Sequence, residues 1–475
     1  MIAGRRRKCY YFSIAAGKSP PKETLRTLRK DLYMQQNLTG GNVLRSLIRF
    51  SVPYVISSFL QTFYGLADLF ITGQFNGAAV ITAVSVGSQL MHMLTVVIVG
   101  LAVGATVYIG RSVGAEQPED TSRGIGNTIT LFAVFAAVLT CVLLLSAGGI
   151  LSLLHTPEPS VPQAMAYVRI CFAGIPFITA YNVLSSIFRG LGDTKTPMYF
   201  VAIAGVINIV LDWILIGPFA MGAAGAAIAT VAAQGISVLL AFLAFRRTSA
   251  GARLSLSDLR PDPRTMSALL GVGVPIAFQE GFIQISFLVI TTIGNMRGVN
   301  AAAGIGIVEK FISFLFLVPS AMSAAVAAIA AQNIGAGLHG QAKKTLRYAI
   351  TICVGFGTLM TILCNLNPEA ILRVFTREPE VVRLGAQYLR SYVTDCMAAG
   401  VHFCFSGYFS AYGKSFYSFL HNLISILLIR IPGAWYASVL FPETLFPMGC
   451  AAPLGSLLSA VICVSVYLAR KDKWQ

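Results

Sequence analysis

The sequence predicts an all-α integral membrane protein: twelve transmembrane helices in two six-helix bundles, related by a pseudo-two-fold axis along the membrane normal. Three observations predict it. Only 11% of the 475 residues are charged and 56% are hydrophobic, against about 25% charged in soluble globular proteins, and the mean hydropathy is +0.72. Apolar runs long enough to cross about 30 Å of hydrocarbon recur from Ser51 to Ala469. The chain also repeats itself at a nearly constant offset.

The runs are, in order, 51–74, 79–110, 124–152, 164–189, 196–217, 220–245, 267–293, 299–332, 343–366, 384–411, 415–440 and 446–469. Turn-forming or charged stretches separate them, among them Gln74–Gly77, Ala115–Arg123, Gly190–Thr196 and the longest, Arg246–Arg264. Backbone polar groups in lipid are satisfied only in helices or closed barrels. Barrel strands would be about ten residues of alternating pattern, so runs of this length are helices.

Lysine and arginine set the orientation. With the N-terminus inside, the even-numbered loops hold Arg111, Arg123, Arg189, Lys195, Arg246, Arg247, Arg253, Arg260, Arg264, Lys343, Lys344, Arg347 and Lys414, and the C-terminus adds Arg470, Lys471 and Lys473. The other loops hold only Arg297, Arg373, Arg377 and Arg383. The expectation is a multi-pass protein of the cell (inner) membrane with both termini cytoplasmic.

Four markers carry the repeat. Pro53 matches Pro275 at an offset of 222, while Val113-Gly114-Ala115 matches Ile334-Gly335-Ala336, Tyr167-Val168-Arg169 matches Tyr388-Leu389-Arg390, and Gly192 matches Gly413, all at 221. Six helices per half is an even number, so the halves share one orientation and the substrate path is expected between them. The boundaries follow: 1–40 a basic, disordered cytoplasmic terminus, 41–245 the first half, 246–266 a basic cytoplasmic linker, 267–475 the second half.

The net charge is +16, and residues 1–33 alone hold nine basic residues against Glu23 and Asp31. No soluble domain is left to bind nucleic acid, so the bilayer is the expected partner of this charge. The chain is expected to work as a monomer. Of nine cysteines, Cys141, Cys171, Cys353, Cys396, Cys404 and Cys463 lie in apolar runs without a CxxC pair, and read as small core hydrophobes. His92, His402 and His421 lack metal-ligand spacing and read as core histidines.

A charge inside a bilayer costs about 2.5–3.5 kcal/mol on insertion scales, so each acidic residue within a run needs a reason. In the first run Gln61, Tyr64 and Asp68 share one helical face. In the fifth, Asn208 and Asp212 are spaced i, i+4, with Asn182 and Thr230 at similar depths in the fourth and sixth. An oxygen-rich cluster of this kind holds protons or hard cations; a Na⁺ would sit at Asp68 and Asp212, and no other metal or cofactor is called for. The repeat places Ile290 and Gly433 where the second half would need its own acids, so the halves are chemically unequal. Glu309, Glu280, Gln284 and Arg430 are the expected lining of a substrate cavity in the second half, with Arg430 one expected partner of Glu309 and Asp395 read as structural. There is no GxxxxGK[ST] sequence and no loop long enough for a nucleotide-binding domain.

These residues in combination resemble the multidrug and toxic compound extrusion (MATE) family. The signals are Pro53…Gln61…Tyr64…Asp68, the Arg111-Ser-Val-Gly-Ala turn, Phe188-Arg-Gly-Leu-Gly-Asp-Thr-Lys-Thr-Pro197, Asn208…Asp212 and Gln332-Asn-Ile-Gly-Ala336, and the similarity runs from about Thr39 to Arg470. The resemblance implies a V-shaped twelve-helix antiporter, not an enzyme, that exports small amphipathic organic cations against H⁺ or Na⁺. It implies a first-half cation site at Gln61, Asp68, Asn208, Asp212 and Thr230. Some members use a helix 7 Glu and a helix 10 Asp instead; here Glu280 and Asp395 occupy those helices but not those positions. Ion binding is expected to repack the first helix, bending it near Pro53.

Two other functions compete. A flippase for lipid-linked oligosaccharides, of the same superfamily, needs a basic cavity, for which Lys310 and Arg430 are the intramembrane cations. An integral-membrane lipid-modifying enzyme needs a carboxylate or histidine cluster at the membrane surface beside a phosphate-holding loop, and the sequence offers neither.

Overall fold

The computed structural model describes residues 38–470 and Trp474, and the expectations for 1–37 lie outside it. The first half runs α1 Val43–Phe75, α2 Ala78–Gly114, α3 Pro118–Leu153, α4 Val161–Ala173, α5 Ile175–Gly190, α6 Lys195–Ile216 and α7 Gly222–Arg246. The second runs α8 Pro263–Asn295, α9 Val299–Leu315, α10 Leu317–Gly335, α11 His339–Leu366, α12 Pro379–Tyr392, α13 Asp395–Ala411, α14 Ser415–Ser425, α15 Ile431–Leu440 and α16 Ala451–Arg470, with a π-helical turn at Ile426–Arg430. All twelve predicted runs fall on these helices. By length and composition, ten are spans in one piece, counting α9 with α10 and α14 with α15. The pair α4–α5, bent by 48°, forms an eleventh. The tenth run is broken between α12 and α13.

Local chemistry sets the ends. Asn42 caps α1, its side chain accepting from Leu44 N and Arg45 N. Pro118 opens α3 with Glu119 and Asp120 in the first turn, where the positive end of the helix dipole favours acids. Gly174 and Pro176 break α4 from α5. Pro53 lies inside α1; a proline there cannot donate to the Arg49 carbonyl.

The halves meet along α2, which packs against α8 and α10. Glycines make the contact possible. A Cβ on Gly104 would stand 2.1 Å from the Leu269 carbonyl oxygen, and one on Gly273 would stand 2.2 Å from that of Leu101. Backbone can approach so closely only where no side chain intervenes. The linker is docked rather than free. Asn127 on α3 donates to the Asp258 and Arg260 carbonyls at 3.3 Å and accepts from Asp262 N at 2.7 Å, while Thr130 donates to Leu259 O at 2.7 Å.

Two sequence expectations are corrected. Cys141 is exposed on α3 rather than in the core. His92 is also exposed, whereas His402 and His421 are buried beside one another with ring centroids 5.4 Å apart. An apolar run fixes that a residue is in the membrane, not which way it faces.

Candidate functional site

In the first half, α1, α6 and α7 bring one acidic cluster together. Asp68 on α1 and Asp212 on α6 are 5% and 0% exposed. Thr230 on α7 donates its hydroxyl to Asp68 Oδ2 at 3.4 Å. Asp212 and Asn208 face the same carboxyl without closing a hydrogen bond of normal length. Asp68 Oδ1, both oxygens of Asp212 and both polar atoms of Asn208 have no hydrogen-bond partner among the described residues. No basic side chain is paired with either acid among the described residues. Leaving buried charge uncompensated costs several kcal/mol per ion. Two carboxylates face to face therefore call for a positive charge between them, and the donor set, all oxygen, suits a proton or an alkali ion.

Not every predicted member of the site joins it. Tyr64 lies one turn from Asp68 and pairs through its hydroxyl with Gln234 Nε2 at 3.5 Å. Gln61 and Asn182 face elsewhere. They line a separate polar cavity of about 50 Å³ with Tyr54, Ser57, Tyr181 and Arg189. Arg189 lies over the Tyr54 ring, 5.4 Å from its centroid. Asn182 also donates to its own helix, at Ile178 O, 2.8 Å away.

The second half holds a different arrangement. Arg430, at the end of the π-helical turn, pairs with Asp395 at 3.3 Å and lies over the Phe287 ring at 5.3 Å. Glu309 was expected to take Arg430; it instead accepts from Thr291 Oγ1 at 3.1 Å. Its other oxygen has no hydrogen-bond partner among the described residues, nor have Asp395 Oδ1 and Arg430 Nε. Here one acid, Asp395, has a built-in cation, and the other, Glu309, has only a hydroxyl donor. Glu280 lies against the first half, its Cγ 3.2 Å from where a Gly100 Cβ would be. Gln284 is half-buried, and Lys310, beside Glu309 in sequence, is exposed. A short stretch of π-helix often marks a functional site, and the sequence carried no sign of it. Thr291 and Gln234 were also missed, since one polar residue in an apolar run has no periodicity to betray its partner.

The family model for MatE matches residues 53–214 and 275–436. The chain is 29% identical over 444 residues to a probable multidrug resistance protein, YpnP, of Bacillus subtilis, covering 92% of this chain and 97% of that one. It is 24% identical over 375 residues to the multidrug export protein MepA of Staphylococcus haemolyticus, covering 79% and 82%. The fold is that of a MOP superfamily transporter from Pyrococcus furiosus, with a TM-score of 0.86 at 20% identity over 93% of this chain and 98% of the other.

Proposed function

The chain belongs to the MatE family of multidrug-type membrane transporters, and from that premise we propose that it is a secondary active exporter in which inward H⁺ or Na⁺ drives amphipathic organic cations out of the cell. One observation supports the reading most. Asp68 and Asp212 meet in the first half, and among the described residues three of their four carboxyl oxygens have no hydrogen-bond partner and no base is paired with them. Two facing carboxyl groups with Asn208 and Thr230 beside them form an all-oxygen donor set suited to reversible binding of a proton or alkali ion. Moving one charge through about 100 mV supplies roughly 2.3 kcal/mol, close to a fiftyfold concentration ratio.

The rest of the cycle follows from the same residues. Asn208, Thr230 and Tyr64 flank the acids, while Gln61 and Asn182 line a neighbouring polar cavity. Ion binding neutralises the pair and repacks α1, with Pro53 as the hinge. The cationic compound is taken in the second half by Glu309 and Glu280, with Gln284 and the Arg430–Asp395 pair behind them. The halves are residues 41–245 and 267–475, and the end with the basic loops faces the cytoplasm of a monomeric inner-membrane protein. The flippase reading gains nothing from Arg430, whose charge is taken up by Asp395.

The test is reconstitution into liposomes with pH and Na⁺ gradients imposed separately. A cationic dye should move against one of the two gradients. If neither gradient drives any member of a panel of cationic dyes, the proposal fails.

A further inference from the structure

The residues around two of the repeat markers, the turn at Val113–Ala115 and Gly192 with their equivalents, take no part in the acidic clusters, yet they meet one another across the halves. Arg111 and Gln332 are equivalent at an offset of 221, as are Gly190 and Ala411, Gly114 and Gly335, and Gly110 and Ala331. Arg111, in the last turn of α2, donates Nε to the Ala411 carbonyl of the second half at 2.8 Å, and a second guanidinium N–H reaches the same oxygen. Gln332, near the end of α10, reaches the opposite way and donates Nε2 to the Gly190 carbonyl of the first half at 3.0 Å.

The turns after α5 and α13 present those two oxygens. In the first, Asp193 N bonds Phe188 O and Gly192 N bonds Arg189 O; in the second, Lys414 N bonds Phe409 O and Gly413 N bonds Ser410 O. Gly192 and Gly413 have φ of +90° and +67°, the left-handed conformation this helix ending requires. The turn takes up two terminal carbonyls and leaves the third, Gly190 or Ala411, to a partner outside the helix. Each half thus presents one spare carbonyl to the one long side chain that the other half extends.

Glycine lets the backbones come close enough. A Cβ on Gly114 would stand 1.9 Å from Gln332 O, and one on Gly335 would stand 2.1 Å from Arg111 O. A Cβ on Gly110 would stand 3.2 Å from the Cβ of Ala331, its own repeat equivalent, so the pseudo-axis passes between these two positions. The arms differ in strength. Arg111 makes a charge-assisted contact. Gln332 makes a neutral one and also accepts from Leu38 N at 3.1 Å.

We propose that this reciprocal clasp is the gate that shuts the transporter at its basic-loop end, and that both arms release together when the path opens there. The inference rests on the transporter reading only in requiring two states. A cysteine at position 331, buried on the pseudo-axis, reports it. In membranes exposed to a polar maleimide from the basic-loop side, Ala331→Cys alone should label slowly, read by mass spectrometry of its peptide. Adding Arg111→Met or Gln332→Met should raise the rate about tenfold or more, as the loss of a buried hydrogen bond implies, and Arg111→Lys should give an intermediate rate. Equal labelling with and without the clasp overturns the proposal. A second measurement does not need a weakened protein. Gly110→Cys with Ala331→Cys, whose Cβ atoms at 3.2 Å need move apart by only a few tenths of an ångström to reach the disulfide range of about 3.5–4.5 Å, should stop dye efflux when oxidised and recover it on reduction; efflux persisting in the cross-linked chain also overturns it. Failure of the export reading looks different: no dye moves even in the uncrosslinked chain, while labelling of position 331 still responds to Arg111→Met.

Discussion

Thr230 donates to Asp68 across 162 residues of chain, at 3.4 Å, and this is the one protein hydrogen bond received by the carboxyl oxygens of either first-half acid among the described residues. On the proposed reading a bound proton or alkali ion supplies the rest of their coordination. Asp68→Asn and Asp212→Asn should each abolish gradient-driven efflux while leaving expression and membrane insertion intact, because each removes a charge without changing shape. Dye efflux measured beside the amount of protein in the membrane checks this. Wild-type efflux in the double variant would defeat the assignment. Thr230→Val should be milder, weakening ion binding by about ten- to a hundredfold, the worth of a single hydrogen bond to a charged group.

The glycines along α2 predict a contrast in stability. A methyl group at Gly104 would collide with the Leu269 carbonyl of α8, and overpacking of this kind costs about 1–3 kcal/mol. At Gly149 on α3 nothing lies within 4 Å. There the change to alanine should stabilise by up to about 1 kcal/mol through helix propensity alone. Thermal unfolding of Gly104→Ala and Gly149→Ala in one detergent should shift in opposite directions.

Asp262 caps α8, accepting from Thr265 N at 3.0 Å and from its hydroxyl at 2.6 Å. The Thr265 hydroxyl first, and its N–H second, hold the carboxyl below its usual range. A depressed folded value means that the stabilisation is complete above the ordinary aspartate value of about 4 and is lost as pH falls through the folded value. Docking of the linker on α3 should therefore be unchanged between about pH 6 and 8 and loosen only below about 4. Hydrogen exchange over residues 255–265, corrected for the intrinsic pH effect, reads this; loosening near neutrality would contradict it.

The sequence made the membrane architecture plain because two of its signals are long. Apolar runs of twenty or more residues located the spans, and the 221-residue offset matched the Val113-Gly114-Ala115 turn to Ile334-Gly335-Ala336. Asp68 and Asp212 were legible as partners because each closes a polar i, i+4 face in an apolar helix. Facing directions were not. Gln61 shares the face of Asp68 but precedes it by two turns, about 10.5 Å along the helix axis, and at that level it lines a different cavity with Asn182. Arg430 was harder still. The π-helical turn at Ile426–Arg430 inserts a residue into the helical count and moves everything after it around the axis. An α-helical register therefore could not tell whether Arg430 would meet Glu309 or Asp395. The docking of the linker on Asn127 rests on side-chain contacts to loop backbone, which leave no periodic trace.

The Arg430–Asp395 pair yields the last prediction. Its side chains are 11% and 0% exposed, and it joins α13 to the helix that contains the π-helical turn. Removing one member leaves the other buried and unpaired, which costs about 3–5 kcal/mol, so Asp395→Ala and Arg430→Ala should both be poorly stable in detergent. Replacing both with apolar residues of similar size removes the charges together, and such swaps are often neutral or stabilising. Asp395→Leu with Arg430→Met should therefore recover most of the thermal stability that either single change loses. Arg383 and Glu380 form a control: they are half-exposed at 51% and 44%, where a pair is worth about 1 kcal/mol or less, and Glu380→Ala should scarcely move the midpoint. If the double apolar variant is as unstable as the single ones, Arg430 is held by more than its charge partner. Its stacking on Phe287 would then carry the weight, and Phe287→Leu should reproduce the loss.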